Sequence, residues 1–238
     1  MTRRLKLSLL VTAGPTVEDL DPVRFISNRA SGKLGFEIAK AALKLGHRVT
    51  LVHGPVSEHL IENLPRALGL TRVPVRSCAQ MSKAVHANLV RTDAVIMSAA
   101  VADFTPVKTS ATKLKKAQSG LTIRLKPTED ILKGLGRVKA ARRKDLVLLG
   151  FALETGSGRT KAQRLTAQFR EARRKLESKN LDALVLDAPD AMGADRSTFH
   201  LLESGRAEAQ TVRATKQALA ARLVRWCEAL HETKRARS

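Results

Sequence analysis

Tyrosine is absent from this chain, tryptophan occurs once, and aromatics make up only 3% of its 238 residues. A core built on large rings is therefore excluded, and Leu, Val, Ile and Ala must fill it. At 43% hydrophobic content there is enough material for one sizeable core. The same scarcity removes the stacking platforms on which single-stranded nucleic-acid binders rely, so no specific nucleic-acid partner is expected. Cysteine is nearly missing too. Cys78 and Cys227 lie far apart and form no metal-type spacing, which predicts reduced thiols and a cytoplasmic protein. No apolar run approaches the roughly 18 residues of a membrane span, so no membrane partner is expected. The basic start, Arg3-Arg4, precedes an apolar stretch as in an export signal. Lys6 interrupts that stretch, however, and Gly14-Pro15-Thr16 follows without a small-residue cleavage site, so a first buried strand fits better. The six histidines show no ligand spacing and there is no G-x-S-x-G, which leaves metal and serine hydrolases without support.

Positive charge, by contrast, is abundant, with a formal net value of +21. Between residues 133 and 179 there are fourteen lysines and arginines against four carboxylates. Such a surface attracts small phosphorylated substrates as readily as nucleic acid, and it equally suits a merely solvated face. Charge alone does not choose a function.

Strand and helix signals alternate along most of the chain. Strands are expected over 5–13, 48–53, 94–99, 146–151 and 183–186, with helices over 31–45, 79–90 and 161–179. Strands apolar on both faces and separated by helices imply a mostly parallel sheet covered on two sides. The expected fold is therefore α/β: a doubly wound, Rossmann-like sheet in a single domain over 1–238. Residues 104–120 break the pattern, being polar and too long for an ordinary connection, and read as a lid loop. Residues 197–203 and 210–213 read as a short C-terminal strand pair, and 216–230 as a final helix.

Several segments can carry chemistry. Thr12-Ala13-Gly14-Pro15-Thr16 follows the first strand but lacks the G-x-G-x-x-G of a dinucleotide fold. Ser31-Gly32-Lys33-Leu34 is not a phosphate-binding P-loop, because Leu follows the lysine. It does open a helix, whose free N–H groups favour an anion, while Arg24 and Asn28 supply a charged fork and an amide nearby. A plain helix cap at Ser31 and a surface ion pair at Arg24 fit the same residues. The strand over 94–99 ends in small residues and Asp103, which suits a ligand approaching the backbone as well as an ordinary turn. Lys113-Leu114-Lys115-Lys116 lies inside the long loop, as a solvated run or as a cationic lid. On the helix over 161–179, Ala162, Leu165, Phe169, Ala172 and Leu176 form the core stripe, flanked by Lys175 and Lys179 at i,i+4. Those two cations suit a polyphosphate or simply the helix C-terminal dipole.

Taken together, Thr12 to Thr16, Asp21 to Gly35, Ala99 to Phe104, Lys113 to Lys116, Gly150-Phe151-Ala152 and Lys175 to Asp182 resemble the phosphopantothenoylcysteine synthetases, in order and over nearly the whole chain. The resemblance implies a ligase that joins 4'-phosphopantothenate to L-cysteine through an acyl-cytidylate, consuming CTP with Mg²⁺. It implies nucleotide contacts from Met97, Ser98, Ala99, Asp103, Lys113, Glu129, Asp130, Ile131, Leu132, Phe151, Lys175 and Lys179. Asn28 with Arg24 would hold the intermediate, and Lys113 would act as the lid lysine; metal ligands are not assigned. The resemblance further implies a homodimer, with a separate phosphopantothenoylcysteine decarboxylase acting next. In many bacteria the synthetase is fused behind such a decarboxylase, whereas this chain starts at the synthetase's first strand, so a stand-alone form is expected. Glu129 and Asp187 depart from the family pattern by adding carboxylates near the nucleotide. An ATP-using version of the ligase and an NAD(P)-dependent Rossmann oxidoreductase are the alternatives.

Overall fold

In a computed structural model, described for residues 6–116, 120–187 and 196–236, the strand–helix alternation closes into one eight-stranded sheet. Residue 5 of the expected first strand and residues 117–119 of the expected lid lie outside the described residues. The chain runs β1 (Ser8–Ala13), β2 (Val17–Asp19), β3 (Phe25–Ser27), α1 (Lys33–Lys44), β4 (Arg48–His53), α2 (Glu58–Glu62), β5 (Leu70–Pro74), α3 (Cys78–Ala87) and β6 (Ala94–Met97). It continues through β7 (Phe104–Pro106), β8 (Leu125–Pro127), α4 (Ile131–Arg142), β9 (Val147–Leu153), α5 (Lys161–Ser178), β10 (Ala183–Asp187), β11 (Arg196–Glu203), β12 (Gln210–Thr215) and α6 (Lys216–Arg235).

The sheet order is β12-β11-β10-β9-β6-β1-β4-β5. All neighbours from β10 to β5 pair in parallel, and β11 and β12 add antiparallel at one end. The fold class is as expected. Side chains alternate between two cores with the strand period of two. Leu9, Val11, Ile96, Leu149 and Val185 face α1 and α6, whereas Leu10, Val95, Leu148 and Leu184 face α3, α4 and α5. Burial on both faces is why these strands read as continuous apolar runs. Two small hairpins, β2–β3 and β7–β8, stand outside the sheet.

Some details differ from the sequence reading. The apolar stripe on α5 is half real: Ala172 and Leu176 are buried, but Leu165 is 36% exposed. The helix is 18 residues long while its neighbouring strand β10 has only five, so its first turns overhang the core. Helix α4 carries Gly134 and Gly136, poor helix formers that hide its signal. Gly136 is needed for packing, since a Cβ there would stand 1.9 Å from the Lys179 carbonyl oxygen. Of the tail pair, β11 is already flanked on both sides, so the free edge belongs to β12 alone.

One buried polar cluster locks the amino end of β10. Asp182 accepts from Lys139 at 2.9 Å and from Lys234 at 2.8 Å, and its second oxygen accepts the Leu148 N–H at 2.8 Å. Burial pulls the Lys139 ammonium below the usual lysine range, and Asp182 opposes that shift. Removing the carboxylate strands two cations in a poorly hydrated site. Asp182→Ala is expected to cost about 3–5 kcal/mol of stability, read from the midpoint shift in equilibrium urea unfolding.

Candidate active site

The chain passes from β1 to its neighbour β4 on one side and later crosses to β6 on the other. The carboxyl ends of β1 and β6 therefore flank the point where strand order reverses, the usual ligand crevice of such sheets. Hydroxyls stitch the two ends together. Thr12 Oγ1 accepts the Ala99 N–H at 3.1 Å, Thr16 Oγ1 accepts the Ala102 N–H at 2.9 Å, and Ser98 Oγ donates to the Thr12 carbonyl at 2.6 Å. Backbone bonds continue the seam, from Ala100 N–H to the Gly14 carbonyl at 2.9 Å and from Thr16 N–H to the Ala100 carbonyl at 3.2 Å. Thr12 and Thr16 are fully buried. Buried hydroxyls of this kind must be paired.

Asn28 reaches this seam from just beyond β3, donating its Nδ2 to the Ala100 carbonyl at 3.0 Å. Helix α1 starts beside it. Its N-cap is Gly32, not Ser31, in the left-handed region at φ 81° and without a side-chain cap. Only Gly fits there, since a Cβ would stand 2.8 Å from Val56 Cγ1 and 3.1 Å from the Gly14 Cα. Ser31 Oγ accepts the Lys33 N–H at 3.3 Å, and this N-terminus next to Gly14 gives the crevice a favourable end for an anion.

Arg24 is placed differently from a ligand-binding fork. It pairs with Asp21 at 2.6 Å and donates to the Leu114 carbonyl at 2.5 Å, while Asp21 Oδ2 accepts the Leu114 N–H at 3.1 Å. The segment that carries exposed Lys113 is thus fastened to the β2–β3 hairpin that leads to Asn28. Burial alone would raise the Asp21 carboxyl. The Leu114, Val23 and Arg24 hydrogen bonds outweigh that effect and hold it well below the usual carboxylate range. Stability from this group is present above the ordinary unfolded value and is lost only as pH falls through the depressed folded one. The clamp therefore stays charged throughout neutral and mildly acidic conditions.

The remaining expected contacts divide. Met97, Ser98 and Ala99 line the β6 end, and the Asp103 carbonyl accepts the Thr128 N–H at 2.9 Å, bringing the β8–α4 connection beside it. Within that connection Glu129 turns toward α3, where Ser82 Oγ donates to its Oε2 at 2.6 Å. Asp130 caps α4 through the Lys133 N–H and pairs with Lys179 at 2.9 Å. Burial raises the Asp130 carboxyl, but Lys179 and the Lys133 amide outweigh it and leave it lowered. Ile131 is 2% exposed and belongs to the core, and Leu132 packs over Gly150 of β9. Phe151 is half-buried against the core facing α1 and α6. Lys175 pairs with Glu154 at 2.5 Å, just past the end of β9. Both lysines thus rest on carboxylates at the loop ends. Asp187, the departure on β10, is half-buried at the carboxyl end of that strand. Sequence reading singled out the loop from Thr12 to Thr16 but not the role of its two hydroxyls as acceptors, and it missed Glu154 and the clamp by Asp21. Only Asp21 leaves a signal, as an Asp-Pro turn three residues before an arginine.

Comparisons with known proteins give the family and the fold. The model of the DNA/pantothenate metabolism flavoprotein C-terminal domain matches residues 5–230. The chain is 44% identical over 187 residues to the coenzyme A biosynthesis bifunctional protein CoaBC of Bacillus subtilis (strain 168), covering 78% of this chain and 41% of that protein. The chain therefore spans less than half of that relative's length. The crystal structure of the C-terminal domain of a coenzyme A biosynthesis bifunctional protein CoaBC superposes with a TM-score of 0.74 at 32% identity, over 98% of this chain and 100% of that one. The DNA/pantothenate metabolism flavoprotein from Streptococcus pneumoniae shares the fold, with a TM-score of 0.78 at 22% identity over 94% of this chain and 99% of that one.

The seam itself is testable without any ligand. Thr16→Val keeps the shape but leaves the Ala102 N–H buried and unpaired, an expected loss of about 1–3 kcal/mol. Equilibrium unfolding measures it, and a change within error would mean the Ala102 N–H finds another partner.

Proposed function

The chain belongs to the DNA/pantothenate metabolism flavoprotein C-terminal domain family, and from that premise we propose that it is a phosphopantothenate–cysteine ligase of coenzyme A biosynthesis. The observation that carries the reading is that one hairpin both leads to Asn28, bonded at the β1–β6 seam, and holds the main chain of the Lys113 segment at its turn. In the proposed reaction the 4'-phosphopantothenate carboxylate attacks the α-phosphorus of CTP. The bond to the pyrophosphate oxygen breaks, and pyrophosphate leaves. The cysteine amine then attacks the acyl carbon, the amide forms with loss of a proton, and CMP departs with the electrons of the broken acyl–oxygen bond.

Position supports the roles that the resemblance implies. The α1 N-terminus and the small residues of the seam let phosphate approach the backbone closely. Asn28 offers an uncharged donor at the acyl-phosphate, and Lys113 offsets the charge that develops as pyrophosphate leaves. Lys175 and Lys179, resting on Glu154 and Asp130, are cations that a polyphosphate would draw away from those acids. Mg²⁺, which would offset phosphate charge, fits best as a nucleotide complex. Among the described residues no group of three or more His, Cys, Asp or Glu side chains stands ready to hold a metal, and Mg²⁺ commonly binds through few carboxylates plus substrate phosphates. The product would pass to a separate decarboxylase. CTP is preferred to ATP in this proposal, read by backbone groups of Met97 to Ala99 and Glu129 to Leu132.

A homodimer is part of the same proposal. The exposed apolar side chains Val23, Phe25, Phe104, Val107, Leu121 and Leu125 all lie on or beside the two small hairpins. Exposed apolar side chains gathered on two neighbouring hairpins suit cover by a second copy of the chain. Among the described residues no helix is long and apolar enough to cross a membrane.

The deciding experiment is pyrophosphate release with 4'-phosphopantothenate and each nucleoside triphosphate in turn at matched Mg²⁺. CTP is expected to exceed ATP by roughly tenfold or more in kcat/KM, and no release with any nucleotide would overturn the ligase reading. Sedimentation is expected to give a dimer that Phe25→Ser together with Phe104→Ser shifts toward monomer. A fully active wild-type monomer would remove the dimer from the proposal.

A further inference from the structure

Asp21 is an unusual carboxylate to find in a surface hairpin. Its side chain is 0% exposed, and its two oxygens divide their work cleanly. Oδ1 accepts the Val23 and Arg24 N–H groups at 2.8 Å each, which closes the local turn. Oδ2 accepts Arg24 Nε at 3.0 Å, Arg24 Nη2 at 2.6 Å and the Leu114 N–H at 3.1 Å, ninety-three residues away. Arg24 Nη2 also reaches the Leu114 carbonyl at 2.5 Å. Leu114 is thus held by both its N–H and its C=O. Two further bonds fasten the same stretch, from Ser110 N–H to the Leu20 carbonyl at 2.9 Å and from Thr109 Oγ1 to the Asp19 carbonyl at 3.1 Å. A purely local turn needs only Oδ1. Of the Oδ2 contacts, two go to Arg24 in the same turn, while the Leu114 N–H, together with the Arg24 bond to the Leu114 carbonyl, fixes where residues 109–114 run.

We infer that Asp21 is a positioning residue: with Arg24 it clamps the main chain of Leu114 and thereby sets the place of the neighbouring Lys113 ammonium over the β1–β6 crevice. The inference rests on the ligase reading and deepens it. Arg24, on this view, acts mainly through the clamp, its guanidinium being shared between Asp21 and Leu114. A lysine on a long unanchored loop would pay for its own ordering at every turnover; a clamped one is already in place.

Asp21→Asn separates the two oxygens. The amide oxygen can keep the Val23 and Arg24 bonds, whereas its NH₂ faces the donors that Oδ2 accepted. The fold is expected to survive as a single cooperative transition, with a melting temperature lowered by the loss of the charged clamp. Cleavage by trypsin after Lys113, Lys115 or Lys116, located by mass spectrometry, is expected to accelerate at least roughly tenfold. In pyrophosphate release, kcat is expected to fall by roughly 10- to 100-fold while KM for the nucleotide moves little. In a Lys113→Ala background the same substitution is expected to add no further loss, because the clamp then has nothing to position. Equal fold-losses in the two backgrounds, or unchanged tryptic cleavage, would overturn the inference. Arg24→Lys keeps a cation beside Asp21 but gives up the fork to Leu114, so it supplies the same cleavage test should Asp21→Asn misfold. If wild type releases pyrophosphate with no nucleotide, the ligase reading fails, and the cleavage comparison still decides whether Asp21 holds the segment.

Discussion

The hydroxyl seam between the ends of β1 and β6 is the constraint on which the rest of the site depends. Strand order reverses between these strands, so their two following loops would naturally diverge. Thr12 and Thr16 prevent this by accepting the Ala99 and Ala102 N–H groups from the opposite loop. Ala100, caught between them, offers its carbonyl to both Thr16 and Asn28. The helix that follows Asn28 then begins against Gly14. Without the seam there is neither a floor for an anion at the α1 N-terminus nor a fixed acceptor for the Asn28 amide.

Legibility from sequence followed the range of each interaction. The central strands announced themselves because both faces are buried, which makes Leu9–Val11, Val95–Ile96 and Leu148–Leu149 apolar without a gap. Helix α5 was placed to within a residue at its C-terminal end, since its Ala172 and Leu176 stripe is a local feature. Helix α4 was invisible because the packing demand at Gly136 comes from Lys179, over forty residues away, and glycine speaks against a helix. The hairpins escaped for a related reason. Their strands have three residues each, too few to show a period.

At the site, residue identities were readable but partnerships were not. Arg24 suggests an anion-binding fork in isolation, yet Asp21 and Leu114 occupy it, and the latter lies ninety residues away. Glu129 was read as an unanswered carboxylate near a nucleotide, and its side chain accepts from Ser82 of α3. Lys175 and Lys179 were seen as a bare cationic pair, whereas Glu154 and Asp130 already answer them. A one-dimensional string shows charges without their counter-charges. In a chain with net +21, that omission makes every lysine look available.

The pairing of α1 with α6 bears on how the protein is made. One core is roofed by Phe36, Ile38, Ala39 and Ala42 from the first long helix and by Leu219, Leu223, Val224 and Cys227 from the last. On a ribosome the first of these helices emerges nearly two hundred residues before the second. Through that interval the oily underside of α1 and the inner strands beneath it stand half uncovered, and the opposite core too waits for Leu184, Leu186 and Leu202 of the late strands. Chains beyond about 150 residues commonly pass through such partly built states. Synthesis of these residues thus has a window in which one core lacks part of its cover, and that window closes only once α6 has emerged.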